Sequence, residues 1–169
     1  MHDRFADILN QLQSGRFREL SGARLTATVP VPEALLNELI AASLPPGAPV
    51  RGVTIHPGSD GRFSVRIVPK AALLPAITLK LAIDEQPRLP DLPVLVLRLA
   101  TLSGLFGLAS GAVSGMLPPG VKLEGDRIRV DLRTIAAQQG FAHVFEHVSQ
   151  LLVTTEEGRL VLHLNAAIG

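Results

Sequence analysis

Cysteine, tryptophan and tyrosine are absent from this chain of 169 residues, and charge is scarce. Without cysteine there is no disulfide, no thiol nucleophile and no thiolate metal site, and nothing points to an oxidising compartment. Six phenylalanines are the whole aromatic complement, too few for stacking on bases or sugars. Charged residues make up 18%, against about 25% in an ordinary soluble domain. Sixteen basic and fifteen acidic side chains leave a net charge of +1. That excludes a nucleic-acid binder working through bulk positive charge. No nucleophile elbow of the G-x-S-x-G type and no phosphate-binding glycine loop occurs. The chain therefore reads as a non-enzyme with no catalytic residue and no cofactor.

What is abundant is apolar. Hydrophobic residues reach 47%, and the mean hydropathy is +0.32. Disorder is excluded, and the thin charge predicts an apolar surface that meets a ligand, another copy or lipid. The length suits a single domain over 1–169.

Residues 1–14 read as an amphipathic helix, with Phe5, Ile8, Leu9 and Leu12 on one stripe. Asp3 and Asp7 interrupt any signal-peptide core, so a cytoplasmic location is expected. From residue 23 onward the pattern predicts an antiparallel sheet with further helices. A strand at 24–29 ends at Pro30 and Pro32, and a helix follows with Leu35, Leu36, Leu39 and Ile40 on its apolar face. A hairpin spans 50–56 and 62–68, with Val53 and Ile55 facing Phe63, Val65 and Ile67. Residues 76–85 alternate most cleanly, placing Ile77, Leu79, Leu81 and Ile83 together. Strands at 94–99, 121–124, 127–132 and 159–167 complete the set. The stretch from Phe141 to Leu152 recurs at helical spacing, although 148–155 also fits a strand. Strands that follow one another without crossover helices make the sheet antiparallel.

Residues 99–121 contain no charge over 23 positions. Within them Leu102, Leu105, Phe106, Ala109, Val113 and Met116 span one face of a helical wheel, and Gly104, Gly107, Gly111 and Gly115 the other. The expectation is a long helix at 101–116 buried inside the domain rather than in a bilayer, because four glycines and three serines dilute its hydrophobicity.

One motif invites a metal. His143-Val144-Phe145-Glu146-His147 spells H-x-x-E-H, in which His143 and His147 would bind zinc with Glu146 as base. The third ligand that such a site needs is missing from the 22 residues downstream, so a solvated helix face is the preferred reading. The acid pairs Asp84-Glu85 and Glu156-Glu157 read as solvated strand ends, each pair pointing apart. Arg98 interrupts an apolar run and reads either as buried or as reaching out to water.

The order of elements, with Leu117-Pro118-Pro119-Gly120-Val121-Lys122-Leu123 opening a strand after an uncharged segment, resembles bacterial members of the tubular lipid-binding superfamily. The resemblance covers roughly residues 24–168. It implies a curved antiparallel sheet around a long helix, and binding or transfer of a lipid in an apolar groove.

The fold expected is α+β: a curved antiparallel meander sheet wrapping a long Gly-rich helix, with additional amphipathic helices. The function expected is non-catalytic carriage of a lipid or other apolar ligand. Val65, Ile67, Ile77, Leu79 and Leu81 would line the groove from the sheet, and Leu105, Phe106, Ala109 and Val113 from the helix. Nucleic acid is not an expected partner; peripheral membrane contact is left open. Two rival readings stand beside it. One is a structural homo-oligomer whose sheet edge or apolar face is covered by another copy, and the other is a metal-dependent hydrolase at His143 and His147.

Overall fold

The computed structural model describes residues 22–73, 75–100 and 117–167. The N-terminal helix expected at 1–14 and the helix expected at 101–116 lie outside the described residues. More than half of the described residues are in strands. In chain order the elements are β1 (Arg24–Pro32), α1 (Glu33–Ser43), β2 (Val50–Pro57), β3 (Arg62–Pro69), β4 (Ile77–Glu85) and β5 (Val94–Leu99). After the undescribed segment come β6 (Val121–Glu124), β7 (Arg127–Asp131), α2 (Leu132–Gln138), α3 (Ala142–Glu146), β8 (Val148–Glu156) and β9 (Arg159–Ala167).

These strands form two antiparallel sheets, a large one in the order β2-β3-β4-β5-β7-β6 and a small one in the order β1-β9-β8. Register builds one apolar face across the large sheet. Val65 lies opposite Leu79, Phe63 opposite Leu81, Leu81 opposite Leu99, and Leu97 opposite Ile128. The small sheet packs on it, since the buried cluster joins Leu79, Leu81, Leu95, Leu97, Leu99 and Ile128 to Val148, Leu151 and Val153 of β8. Leu160, Leu162, Leu164 and Ala166 of β9 are half-buried against the same cluster.

The α+β expectation is thereby corrected. The described chain is mostly β, its helices are 11, 7 and 5 residues long, and no long helix runs along the sheet among the described residues. The apolar face needed a cover, and a second sheet supplies it. The strand that also fits 148–155 forms as β8, against the helical spacing of Phe141–Leu152. The helix α3 in fact stops at Glu146, and β8 begins at Val148. The strand read at 24–29 also continues through Pro30 and Pro32 to pair with Val161 and Arg159.

Two side-chain amides finish the sheet edges. Asn37 of α1 donates from Nδ2 to the carbonyl of Ile55 at 3.0 Å and accepts its N–H at 2.7 Å, covering the free edge of β2. Gln86 does the same for Val153 on the free edge of β8, at 2.7 and 2.9 Å. The β8–β9 turn ties the sheets together: the Gly158 carbonyl accepts from Glu33 N–H at 3.0 Å, and its N–H donates to Pro57 at 2.9 Å. The Leu-Pro-Pro-Gly-Val turn holds Gly120 at φ +89°, and a Cβ there would lie 3.0 Å from Thr134 Cγ2, so only glycine fits.

Candidate apolar groove

The five strand residues assigned to the groove do share one face, as the register shows. They do not share one environment. Leu79 and Leu81 are 6% and 3% exposed and belong to the core. Val65, Ile67 and Ile77 are only half-buried, as are Val53 and Ile55, which lie opposite Ile67 and Val65 on β2. The inner face is therefore closed over β4, β5 and β7 and open along a flank at β2 and β3. Leu105, Phe106, Ala109 and Val113 lie outside the described residues.

At that flank α1 packs beside β2 through Asn37 with Leu36 and Ile40, two of the four apolar residues expected there. The half-buried stripe is Leu36, Asn37 and Ile40, rotated by about one residue, and it leaves Leu35 and Leu39 45% and 46% exposed. Past α1 the chain turns at Pro45–Ala48, where Ala48 N–H donates to the Pro45 carbonyl at 2.9 Å. Between this turn and β2 lies an open groove of about 490 Å3, walled mainly by Ala41, Leu44, Ala48, Val53 and Val68, with Asn37 and Thr54 also in its lining. Two cations stand at its exposed rim, Arg51 and Lys70. Pairing of Val50 with Pro69 brings them together, and Lys70 N–H donates to the Pro49 carbonyl at 2.8 Å. Among the described residues no carboxylate lines the groove and neither cation has an ion pair. Apolar walls with an unneutralised cationic rim suit an amphiphile with a negative head.

The other motifs lead elsewhere. His143 is exposed on α3, while His147 falls in the turn after Glu146, so the two histidines do not stand one turn apart on a continuous helix. Among the described residues no three His, Asp or Glu side chains converge as a metal site would require. His163 sits on the outer face of the small sheet in a polar ladder, with Thr28 Oγ1 at 3.4 Å from Nδ1 and Thr154 Oγ1 at 3.3 Å from Nε2. Beside it Thr26, Asn165 and Gln150 bond in a row at 2.9 and 2.8 Å.

The acid pair at Asp84 and Glu85 does not point apart as expected. A bulge between Ile83 and Glu85 turns both carboxylates to one side. Arg127 forks onto them, reaching Asp84 at 3.2 Å and Glu85 at 3.3 Å. Arg98 resolves as exposed, with its guanidinium on Asp84. Its outward place follows from β5 alternation, in which Leu95, Leu97 and Leu99 take the core side.

Sequence reasoning missed Asn37, Arg51 and Lys70. The one available signal was Asn37 itself, a polar residue between Leu36 and Ile40 on the inward side of a short helix. Comparison of the chain with protein-family models, with curated proteins and with solved structures gives no match.

Proposed function

We propose that this protein is a non-catalytic binder of an anionic single-chain amphiphile, with fatty acid as the simplest member of the class. The observation that carries the reading is the groove beside β2: mainly apolar walls and, among the described residues, no carboxylate and no ion pair on the two cations at the rim. The acyl chain would lie along Ala41, Leu44 and Val68, with its head group between Arg51 and Lys70. Burying methylenes contributes about 0.8 kcal/mol each before ordering costs, so part of a long chain suffices without any catalytic polar site. The proposal does not depend on a helix enclosed by the sheet.

Displacement of a fluorescent fatty acid from the purified chain tests it. Saturable binding is expected, stronger for the acid than for the alcohol of the same chain length. Arg51→Gln/Lys70→Gln should remove that preference, and Ala41→Trp, which fills the groove, should remove binding of both. Absence of saturable binding by wild type, or equal affinity for acid and alcohol, overturns the proposal.

Self-association is the second reading, favoured by the exposure of Leu25, Leu35 and Leu39. Sedimentation equilibrium decides it: a monomer at all concentrations removes the reading, and a dimer dispersed by Leu35→Ser/Leu39→Ser supports it.

A further inference from the structure

The outer face of the large sheet carries more positive charge than the chain as a whole. Alternation and register place Arg98, Arg127 and Arg129 there, on β5 and β7, in contact with Asp84, Glu85 and Glu124. Four more cations share the face. Arg62 lies opposite Ala82, Arg66 opposite Thr78, Lys80 opposite Ser64, and Lys122 opposite Arg129. All four are exposed, and none has a carboxylate within ion-pair distance among the described residues. The strand carboxylates of this face are those three and Asp131, whose side chain caps α2 by accepting from Arg133 and Thr134 N–H. Seven cations against four carboxylates stand on one face of a chain whose net charge is only +1.

We infer that this face docks on an anionic lipid surface. Its cations are spread over β3, β4, β5, β7 and β6, strands about 4.8 Å apart, so the charge forms a broad array rather than a point site. A layer of phosphate head groups is the planar counterpart of such an array, and juxtamembrane cations bind it individually and additively. No phenylalanine lies on these outward positions, so the face offers no platform for stacking bases. The inference stands apart from the ligand reading, because docking needs no occupied groove.

Co-sedimentation of the purified full chain with vesicles tests it. Vesicles of equal parts phosphatidylcholine and phosphatidylglycerol should carry the protein down, and pure phosphatidylcholine should not. Raising sodium chloride to about 0.5 M should release it, since screening shortens the reach of each charge to a few ångströms. Arg66→Glu/Lys80→Glu should weaken binding by roughly tenfold or more. The milder Arg66→Gln/Lys80→Gln should weaken it less, and circular dichroism checks that both pairs fold. Arg24→Glu/Arg159→Glu makes the same charge change on the small sheet and should leave binding within about twofold, because those positions lie outside the contact. Equal weakening by both Glu pairs, binding to neutral vesicles, no binding to any vesicle, or binding to duplex DNA in place of vesicles each overturns the inference.

Discussion

The two halves of the large sheet's inner face are built from the same residue types in the same alternation, yet they end in different states. Over β4, β5 and β7 the side chains of Leu79, Leu81, Leu95, Leu97, Leu99 and Ile128 are all buried. Along β2 and β3 the side chains of Val53, Ile55, Val65 and Ile67 are half-open. Strand pairing is continuous between them, so the strands themselves are not the difference. What differs is the opposing surface: β8 sits on the first half with Val148, Leu151 and Val153 fully inserted, whereas β1 lies on the far side of β9 with Leu25 half exposed. Alternation tells which face turns inward. It does not tell what will cover that face.

The largest effect should come from deleting side chains on the closed half. Leu81→Ala or Leu97→Ala should cost about 2–5 kcal/mol in chemical denaturation, because β8 cannot collapse into the space. The matching truncation on the open flank, Ile67→Ala, should fall below about 2 kcal/mol, since water already reaches that site. Equal losses at the two positions would show that the flank is as closed as the centre.

The amide clamps sharpen the contrast at an intermediate scale. Gln86→Ala removes the partners of both the N–H and the carbonyl of Val153, a residue only 3% exposed, and should cost about 1–3 kcal/mol. Asn37→Ala frees the N–H and the carbonyl of half-buried Ile55, where water can take over, and should cost less. Hydrogen exchange at the Val153 and Ile55 amides separates these losses from global unfolding.

The smallest effect belongs to the reverse side of the closed half. Arg127→Ala breaks the fork onto Asp84 and Glu85, but the guanidinium is 47% exposed, so the loss should be about 0.2–1 kcal/mol and shrink with added salt. A loss that ignored salt would mean that the fork works by packing and not by charge.

Local pattern made several strands legible. The strand expected at 94–99 matches β5, that at 121–124 matches β6 and that at 159–167 matches β9, because turn residues bracket each one. At β8 the pattern fits both a helix and a strand at 148–155, and the strand is the one that forms; the ambiguity has a physical source. A register shift between Val148 and Gln150 inserts one residue, so the inward side chains Val148, Leu151 and Val153 are spaced by three and then two. Preceded by Phe141, Val144 and Phe145, that spacing counterfeits a helical stripe. The bulge at Asp84 misled in the same way, turning two neighbouring carboxylates to one side. Pairing of β1 with β9 joins the two ends of the described chain, and no local signal announces it. The groove was illegible for a related reason, since Arg51 and Lys70 are two ordinary surface charges until the β2–β3 hairpin closes.

Asn37 and Gln86 also set where each sheet stops. A carboxamide shows a strand edge the same donor and acceptor as one more peptide unit, but beyond it there is no backbone to carry the ladder onward. In the language of polymerisation, each amide is a chain terminator, adding once and leaving no growing end. Pro30 and Pro32 strip two donors from β1, and β6 has only four residues to offer, so the remaining ends are poor initiators. A chain this rich in alternating valine, leucine and isoleucine has the makings of a fibre. The folded molecule is protected because its hydrogen-bond ladders have been quenched.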